Sequence, residues 1–173
     1  GWYTTDSGAV YYYNAGNGQM EHGFVTIDNT QYLFDETTGV LVDGKWYMTD
    51  GNEYWYEGGI RQGTEGRGKE IYDDASKAWY WLDAVDGGKK AVSKDVYQES
   101  YAGQFADRAD GTGKWVRYDE NGHMIKGFDV RNGNEVYYFD EQTGAMAKGT
   151  VVIKGVEYYF NPATGICERS TIL

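Results

Sequence analysis

The sequence has few of the residues that build an aliphatic core, and few positive charges. Only 24 of its 173 residues are Leu, Ile or Val. The single cysteine, Cys167, excludes an internal disulfide and a zinc site made of several thiolates. No apolar run reaches the roughly 18 residues of a membrane-spanning helix, and no signal-like segment opens the chain. Because 16 Lys and Arg face 27 Asp and Glu, the chain lacks the basic surface that nucleic acid requires.

Aromatic residues and glycine are abundant where aliphatic residues are scarce. A net charge of −11 combined with so few aliphatic residues is a composition that ordinarily indicates disorder. The sequence nevertheless contains 17 Tyr, 6 Trp and 6 Phe, which is far more rings than a disordered tail carries. With 25 Gly as well, we expect a folded protein of thin layers that are held together by contacts between rings.

The chain is an array of repeats with a period of 21 or 22 residues. Residues 23–44 read GFVTIDNTQYLFDETTGVLVDG, and residues 127–149 read GFDVRNGNEVYYFDEQTGAMAKG. Both have an opening Gly-Phe, an aromatic cluster, an Asp, a Thr-Gly turn and a closing Gly. The spacing of the clusters is irregular only in the middle of the chain, as their last members show: Tyr13, Phe34, Tyr56, Tyr118, Phe139 and Phe160.

Each repeat predicts a β-hairpin. Residues 24–27 and 31–34 are short β-prone segments on either side of the polar turn Asp28-Asn29. Asn132-Gly133 and Lys154-Gly155 occupy the same place in later repeats, and such residues tolerate the positive φ of a tight turn. Because a lone hairpin is only marginally stable, we expect an all-β, elongated solenoid of stacked hairpins. A compact β-sandwich is the alternative.

The middle of the chain contains an insert. Within residues 91–106, Tyr97, Tyr101 and Phe105 recur every fourth residue, which predicts a short helix that Ser93 could cap. An ordered loop without a helix is the alternative. We divide the chain into three parts: N-terminal hairpin repeats (residues 1–66), an irregular aromatic-rich middle with the insert (67–114), and C-terminal hairpin repeats (115–173).

The repeat pattern resembles a known family. An opening Gly-Trp or Gly-Phe, a Tyr-Tyr-Phe-Asp cluster, a Thr-Gly-x-Met segment and a closing Gly are similar to the cell-wall-binding repeats of Gram-positive surface proteins. That family includes choline-binding repeats, the glucan-binding repeats of glucosyltransferases and the repeats of clostridial toxins. The resemblance covers about three-quarters of the chain, and its best matching segments are residues 1–23, 23–44, 127–149 and 151–165.

The resemblance implies ligand cages between consecutive hairpins, which would attract a quaternary ammonium group by cation–π interaction. Each cage needs an opening aromatic, a Trp at the head of the cluster, a Tyr of the next repeat and often the Met. The head Trp is replaced in most repeats by Val10, Gln31, Glu53, Val136 or Glu157, and only Trp79 and Trp115 occupy the position. We therefore predict a ligand site around one of two groups: Tyr72, Trp79 and Trp81, or Trp115 with Met124 and Tyr137. Packing in the core is the alternative role for each of these tryptophans.

The acidic residues do not predict an enzyme. The pairs Asp35-Glu36, Asp119-Glu120 and Asp140-Glu141 recur at the same turn of each repeat, so we interpret them as structural rather than as a catalytic dyad. We predict no metal and no cofactor. The expected function is a non-catalytic module that binds a cell-wall polymer or glycan and anchors a secreted or surface protein; a spacer without a ligand is the alternative.

The chain opens at Gly1 inside a repeat, so we expect an excised segment. A catalytic or adhesin domain N-terminal to it would be the part of the protein that the repeats anchor.

Overall fold

A computed structural model of the protein describes residues 1–98 and 113–173. The described residues form β-strands joined by turns and contain no helix, so the predicted all-β class is confirmed. In chain order the strands are β1 Trp2–Thr4, β2 Val10–Tyr12, β3 Gly23–Ile27, β4 Thr30–Phe34, β5 Lys45–Thr49, β6 Asn52–Glu57, β7 Ile60–Arg61, β8 Lys69–Asp73, β9 Ala78–Leu82, β10 Lys94–Gln98, β11 Lys114–Tyr118, β12 Gly127–Arg131, β13 Glu135–Phe139, β14 Gly149–Ile153, β15 Val156–Phe160 and β16 Cys167–Ile172.

The hairpin β3–β4 illustrates why these sequences pair. The two strands are antiparallel, with Gly23 opposite Phe34 and Ile27 opposite Thr30. The two residues of the turn, Asp28 and Asn29, have φ values of 50° and 66°. Two successive positive φ values form a two-residue turn whose twist matches that of the flanking strands. Asp and Asn are among the few residues other than Gly that adopt such φ values readily. The hairpin predicted from this repeat is confirmed.

The sheets are small. In the part of the chain that the structure describes, five sheets have two strands and two have three, β5–β6–β7 and β14–β15–β16. Such sheets are hairpin repeats rather than the two broad layers of a β-sandwich. No described segment is a helix long and apolar enough to cross a membrane.

The helix predicted for residues 91–106 is wrong in its described part. Lys94–Gln98 is strand β10, and it pairs with β11, with Tyr97 opposite Trp115. Ser93 has a φ of 49° and leads into this strand instead of capping a helix. Pairing with a distant segment overrode the local four-residue spacing of aromatic residues. Tyr101 and Phe105, the other members of the predicted stripe, lie outside the described residues.

The chain divides into two compact units. Unit 1 consists of Gly1–Lys69 with Leu82–Lys90, and unit 2 of Glu70–Trp81 with Ala91–Leu173. In both units the last residue of most aromatic clusters is buried, and this group comprises Phe34, Tyr56, Leu82, Tyr118, Phe139 and Phe160; Tyr13 of the first hairpin is half-buried. The period found in the sequence is therefore the period of the core. The division into residues 1–66, 67–114 and 115–173 stays a prediction.

Candidate functional site

Consecutive hairpins are joined by a recurring hydrogen bond between backbones. The residue at the Met position of one repeat donates its N–H to the carbonyl oxygen of the head-of-cluster residue in the preceding hairpin. The three bonds are Leu41 N to Val10 O at 2.7 Å, Met124 N to Trp79 O at 3.0 Å, and Met146 N to Trp115 O at 2.8 Å. This bond fixes how the aromatic residues of neighbouring hairpins approach one another.

The methionines add packing to that junction. A Cβ atom at Gly144 would lie 2.5 Å from Met124 Sδ, and one at Gly165 would lie 2.5 Å from Met146 Sδ. Each methionine therefore covers a glycine in the Thr-Gly turn of the next repeat. Met124 also packs against a buried cluster in unit 2 that contains Trp81. The methionine side chains have a clear structural role at these places.

Two of the residues predicted to form a ligand site do lie together. The rings of Tyr72 and Trp79 are 5.2 Å apart at their centroids, and Tyr72 is exposed. Trp81, predicted beside them, is only 2% exposed and packs with Val116 and Tyr118 in the core of unit 2. The Tyr72–Trp79 pair can thus meet a ligand at the surface, whereas the ring of Trp81 is enclosed by the protein.

The residues of the second predicted group, Trp115, Met124 and Tyr137, differ in their exposure and packing. Trp115 is exposed and its ring lies 5.5 Å from that of Tyr97. Tyr137 is 9% exposed and belongs to another buried cluster, with Phe139. Trp115 therefore pairs with Tyr97 at the surface, whereas Met124 and Tyr137 pack into two different buried clusters.

A guanidinium group of the protein covers Tyr137. The Cζ of Arg117 lies 4.1 Å from the centre of that ring, and its N–H groups donate to Asp95 at 2.7 and 3.0 Å and to Asp129 at 2.8 Å. Burial alone would lower the pKa of Arg117, but the hydrogen bonds with the two carboxylates outweigh it and raise the pKa above its ordinary value. Arg117 also lines a polar cleft of about 410 Å³ in unit 2. An internal cation therefore already occupies this aromatic face.

Other rings are covered in the same way. Arg61 lies 4.0 Å from the centre of Tyr54, and Arg169 lies 4.0 Å from the centre of Tyr159. Cation–π contacts of this kind stabilise the fold by about 0.5–1 kcal/mol each where they are exposed. An external cation could reach these faces only by displacing the protein's own cation.

Two aromatic triads form exposed clusters that the sequence analysis did not single out. In unit 1, the ring of Trp2 lies 5.1 Å from Tyr12 in the partner strand and 5.1 Å from Tyr32 in the next hairpin. Trp2 is 47% exposed, and both tyrosines are half-buried. The triad therefore presents ring surface to solvent at the junction of two hairpins.

The second triad repeats this geometry in unit 2. Phe128 lies 4.8 Å from Tyr138 in its partner strand and 5.4 Å from Tyr158 in the next hairpin. Phe128 is 48% exposed. In both triads the opening aromatic is followed 30 residues later by the tyrosine of the next hairpin, a spacing that is visible in the sequence. Neither triad contains a Trp at the head of a cluster, the position on which the sequence prediction of a ligand site depends.

The acidic residues of the repeats stabilise turns, as predicted. Asp35 accepts hydrogen bonds from the backbone N–H groups of Thr38 and Thr37, both at 2.8 Å, and these bonds hold the pKa of Asp35 below its ordinary value. Asp140 accepts the equivalent pair from Gln142 and Thr143. These carboxylates are oriented towards their own backbone rather than towards one another.

The comparisons with known proteins agree with this architecture. A family model described as a choline-binding repeat matches residues 111–150. Glucosyltransferase-S of Streptococcus mutans is 27% identical over 172 residues, an alignment that covers 92% of this chain and 11% of the relative.

Solved structures share the fold. CbpJ of Streptococcus pneumoniae superposes with a TM-score of 0.62 at 22% identity, over 96% of this chain and 51% of that chain. The autolysin LytC of the same species, solved with a synthetic peptidoglycan ligand, gives a TM-score of 0.59 at 23% identity, over 99% of this chain and 36% of that chain. The chain thus spans about half or less of the length of the proteins it matches. These matches confirm the resemblance to the cell-wall-binding repeat family and its solenoid of stacked hairpins: in sequence and fold, the chain is similar to choline-binding and glucan-binding repeat modules.

Proposed function

We propose that this chain is a non-catalytic module that binds a cell-wall polymer or glycan through its two exposed aromatic triads. The observation that carries the proposal is the repeated cluster of Trp2, Tyr12 and Tyr32, which recurs as Phe128, Tyr138 and Tyr158. Each cluster places two tyrosine rings about 5 Å from the opening aromatic at a junction of hairpins, and the opening aromatic is half exposed.

The chemistry of the triads suits two kinds of ligand. A quaternary ammonium group is attracted to the negative faces of aromatic rings, and the net charge of −11 raises the local concentration of a cation. A sugar ring can instead lay its apolar C–H face on the same surface. The two ligand classes correspond to the choline-binding repeats and the glucosyltransferase that the chain resembles.

The proposal extends to the cellular role. The autolysin LytC and choline-binding protein F were both solved in the presence of peptidoglycan ligands or analogues. By analogy, this chain would anchor an exported Gram-positive protein to the cell surface, and a catalytic or adhesin domain N-terminal to the segment would be the part so anchored. The use of Asp35 and Asp140 in turns supports a role without catalysis.

The exposed pairs of the middle segment are further candidate sites. Tyr72 with Trp79, and Tyr97 with Trp115, each present a tyrosine and a tryptophan on paired strands. Trp81, Met124 and Tyr137 would then act behind the surface, as packing that holds such pairs in place.

A spacer without a ligand is the second candidate function. The observation in its favour is that Arg61, Arg117 and Arg169 already cover the rings of Tyr54, Tyr137 and Tyr159. Hairpins of this kind are stable without an external cation, and an array of them would serve as a stalk.

Fluorescence titration distinguishes the two functions. Choline chloride, peptidoglycan fragments and α-glucans are titrated into the protein while tryptophan emission is followed, with Trp2 as the reporter in the first triad. We expect a saturable change with at least one ligand and a smaller change in Tyr32→Ala, which removes one wall of the first triad and keeps Trp2.

Phe24→Ala is the matched control. Phe24 occupies the position of Trp2 in the next hairpin and is equally exposed, at 48%, but it lies opposite Leu33 instead of a tyrosine. This variant should bind as the wild type does. A flat response of the wild-type protein to all three ligands would support the spacer.

A further inference from the structure

Lys90 occupies a position where most of the other described repeats have an apolar residue; in the repeat β5–β6–β7 the position is held by Arg61, which pairs with Tyr56. Lys90 forms a β-bridge with Leu82, just as Leu41 does with Phe34 and Met124 does with Tyr118. The equivalent residues of the other repeats therefore include Met20, Leu41, Met124 and Met146, all of them uncharged. A lysine at this place changes the chemistry of the junction with the preceding hairpin.

The side chain of Lys90 lies against that hairpin, β5–β6, within unit 1. Its Nζ is 2.6 Å from Oε2 of Glu53 and 4.9 Å from the centre of the Trp46 ring. The side chain is only 19% exposed. Trp55 packs edge-on against Trp46 at 5.1 Å, so it supports the ring that the ammonium group faces.

The partner of Lys90 is also charged. Glu53 occupies the head of its aromatic cluster, the position of Val10 and Trp79 in other hairpins. At that junction Val10 meets Leu41, and Trp79 meets Met124, through the backbone bonds described above. Here a carboxylate meets an ammonium, so the charge of Lys90 has a matched counter-ion where those two junctions pair apolar or aromatic residues.

We propose that the ammonium group of Lys90 is a built-in occupant of a cation site formed by Trp46 and Glu53 and supported by Trp55. A ring face beside a carboxylate is the arrangement that attracts a small organic cation. In the wild-type protein the site is filled from within the chain, and this hairpin takes no external ligand. Lys90 is thus the residue that determines specificity: without it, the same site binds a quaternary ammonium ion.

The test is a search for gained binding in Lys90→Ala. Choline chloride and tetramethylammonium chloride are titrated while the indole N–H resonances of Trp46 and Trp55 are followed by NMR, with sodium chloride at equal concentration as the ionic control. We expect both resonances to shift in a saturable manner in the variant and not in the wild type, so that binding at this site is at least about tenfold tighter than any wild-type response, given the strength of a partly buried cation–π contact. The melting temperature of the variant should be lower than that of the wild type, and choline, but not sodium, should restore part of the difference.

Lys89→Ala is the matched control, because the neighbouring Lys89 pairs with Asp86 instead, at 3.5 Å. It should leave the resonances of Trp46 and Trp55 insensitive to choline. Adding Glu53→Gln to Lys90→Ala should abolish most of the gain, since the site loses its carboxylate.

The proposal is overturned if the tryptophan resonances of folded Lys90→Ala do not respond to either cation, or if those of the wild type respond equally. Should Lys90→Ala fail to fold, Lys90→Gln removes the charge with less change in side-chain length. The response of the Trp46 and Trp55 resonances in that variant then tests the proposal in the same way. The result is independent of the aromatic triads, whose ligands are followed through Trp2 and not through Trp46.

Discussion

Replacement of Gly144 by alanine tests the packing between repeats. Gly144 has a φ of +74°, and a Cβ atom there would lie 2.5 Å from Sδ and 3.0 Å from Cγ of Met124. The left-handed backbone costs an alanine about 1–2 kcal/mol. Displacing a methionine that is packed against a core cluster costs about 1–3 kcal/mol more. We therefore expect Gly144→Ala to lower the free energy of unfolding by about 2–5 kcal/mol.

Gly133→Ala separates the two contributions. Gly133 has nearly the same φ, +77°, but no atom lies within 4 Å of the position of its Cβ. It should lose only the backbone contribution, about 1–2 kcal/mol. In a Met124→Ala background, Gly144→Ala should fall to that same value, because the clashing atoms are gone.

Urea unfolding followed by tryptophan fluorescence and circular dichroism measures all of these variants. Equal losses in Gly144→Ala and Gly133→Ala would refute the packing of methionine on glycine as a source of stability between repeats.

Further predictions concern the charged groups. Arg117→Met leaves Asp129 without its buried partner and should cost about 2–4 kcal/mol, whereas Arg131→Met, which removes an exposed partner of the same carboxylate, should cost less than about 1 kcal/mol in urea unfolding. Burial alone would raise the pKa of Asp129, but its two arginine partners outweigh burial and lower the pKa below the ordinary value of 3.8. The stability that the ionised Asp129 contributes is therefore present above pH 3.8 and is lost as the pH falls through the lowered pKa. Acid unfolding followed by circular dichroism should therefore begin at a higher pH in Arg117→Met. Asp35→Asn should keep the turn, since Asn161 accepts equivalent hydrogen bonds in its own repeat, and it should weaken the acid dependence of stability. Asp35→Ala removes the acceptor and should lower the free energy of unfolding by about 1 kcal/mol in urea unfolding.

The hairpins could be predicted from the sequence because their signals are local. The turn Asp28-Asn29 and the alternation of residues on either side of it specify strand, turn and strand within a dozen residues. The period of the clusters then identified the buried residues Phe34, Phe139 and Phe160. Turn chemistry and burial pointed to the same structure, so these expectations were met.

The strand at residues 94–98 could not be predicted in this way. Its partner, β11, lies beyond a long intervening segment, and the spacing of Tyr97, Tyr101 and Phe105 suggested a helix. The alternation that marks the strand involves Val96 and Gln98, both buried on one face, and a buried glutamine is an uncommon signal. Pairing at long range decided the structure of this segment.

The candidate site was only partly predictable. The pair of Tyr72 and Trp79 was identified because the head Trp is rare in this chain. The triads were missed because they combine an opening aromatic with a tyrosine 30 residues further on, and only the stacking of hairpins brings the two together. The coverage of Tyr137 by Arg117 likewise depends on the fold and not on any local motif.

The most direct test of the central claim is capture of the protein by Gram-positive cell walls and by insoluble α-glucan. The double variant Trp2→Ala with Phe128→Ala, which removes the exposed ring of each triad, is compared with wild type and with Phe24→Ala in a sedimentation assay, after circular dichroism has shown that all three are folded. If the triads are the binding surface, wild type and Phe24→Ala sediment with the polymer and the double variant stays in the supernatant. Sedimentation of the folded double variant to the same extent as wild type would contradict the account.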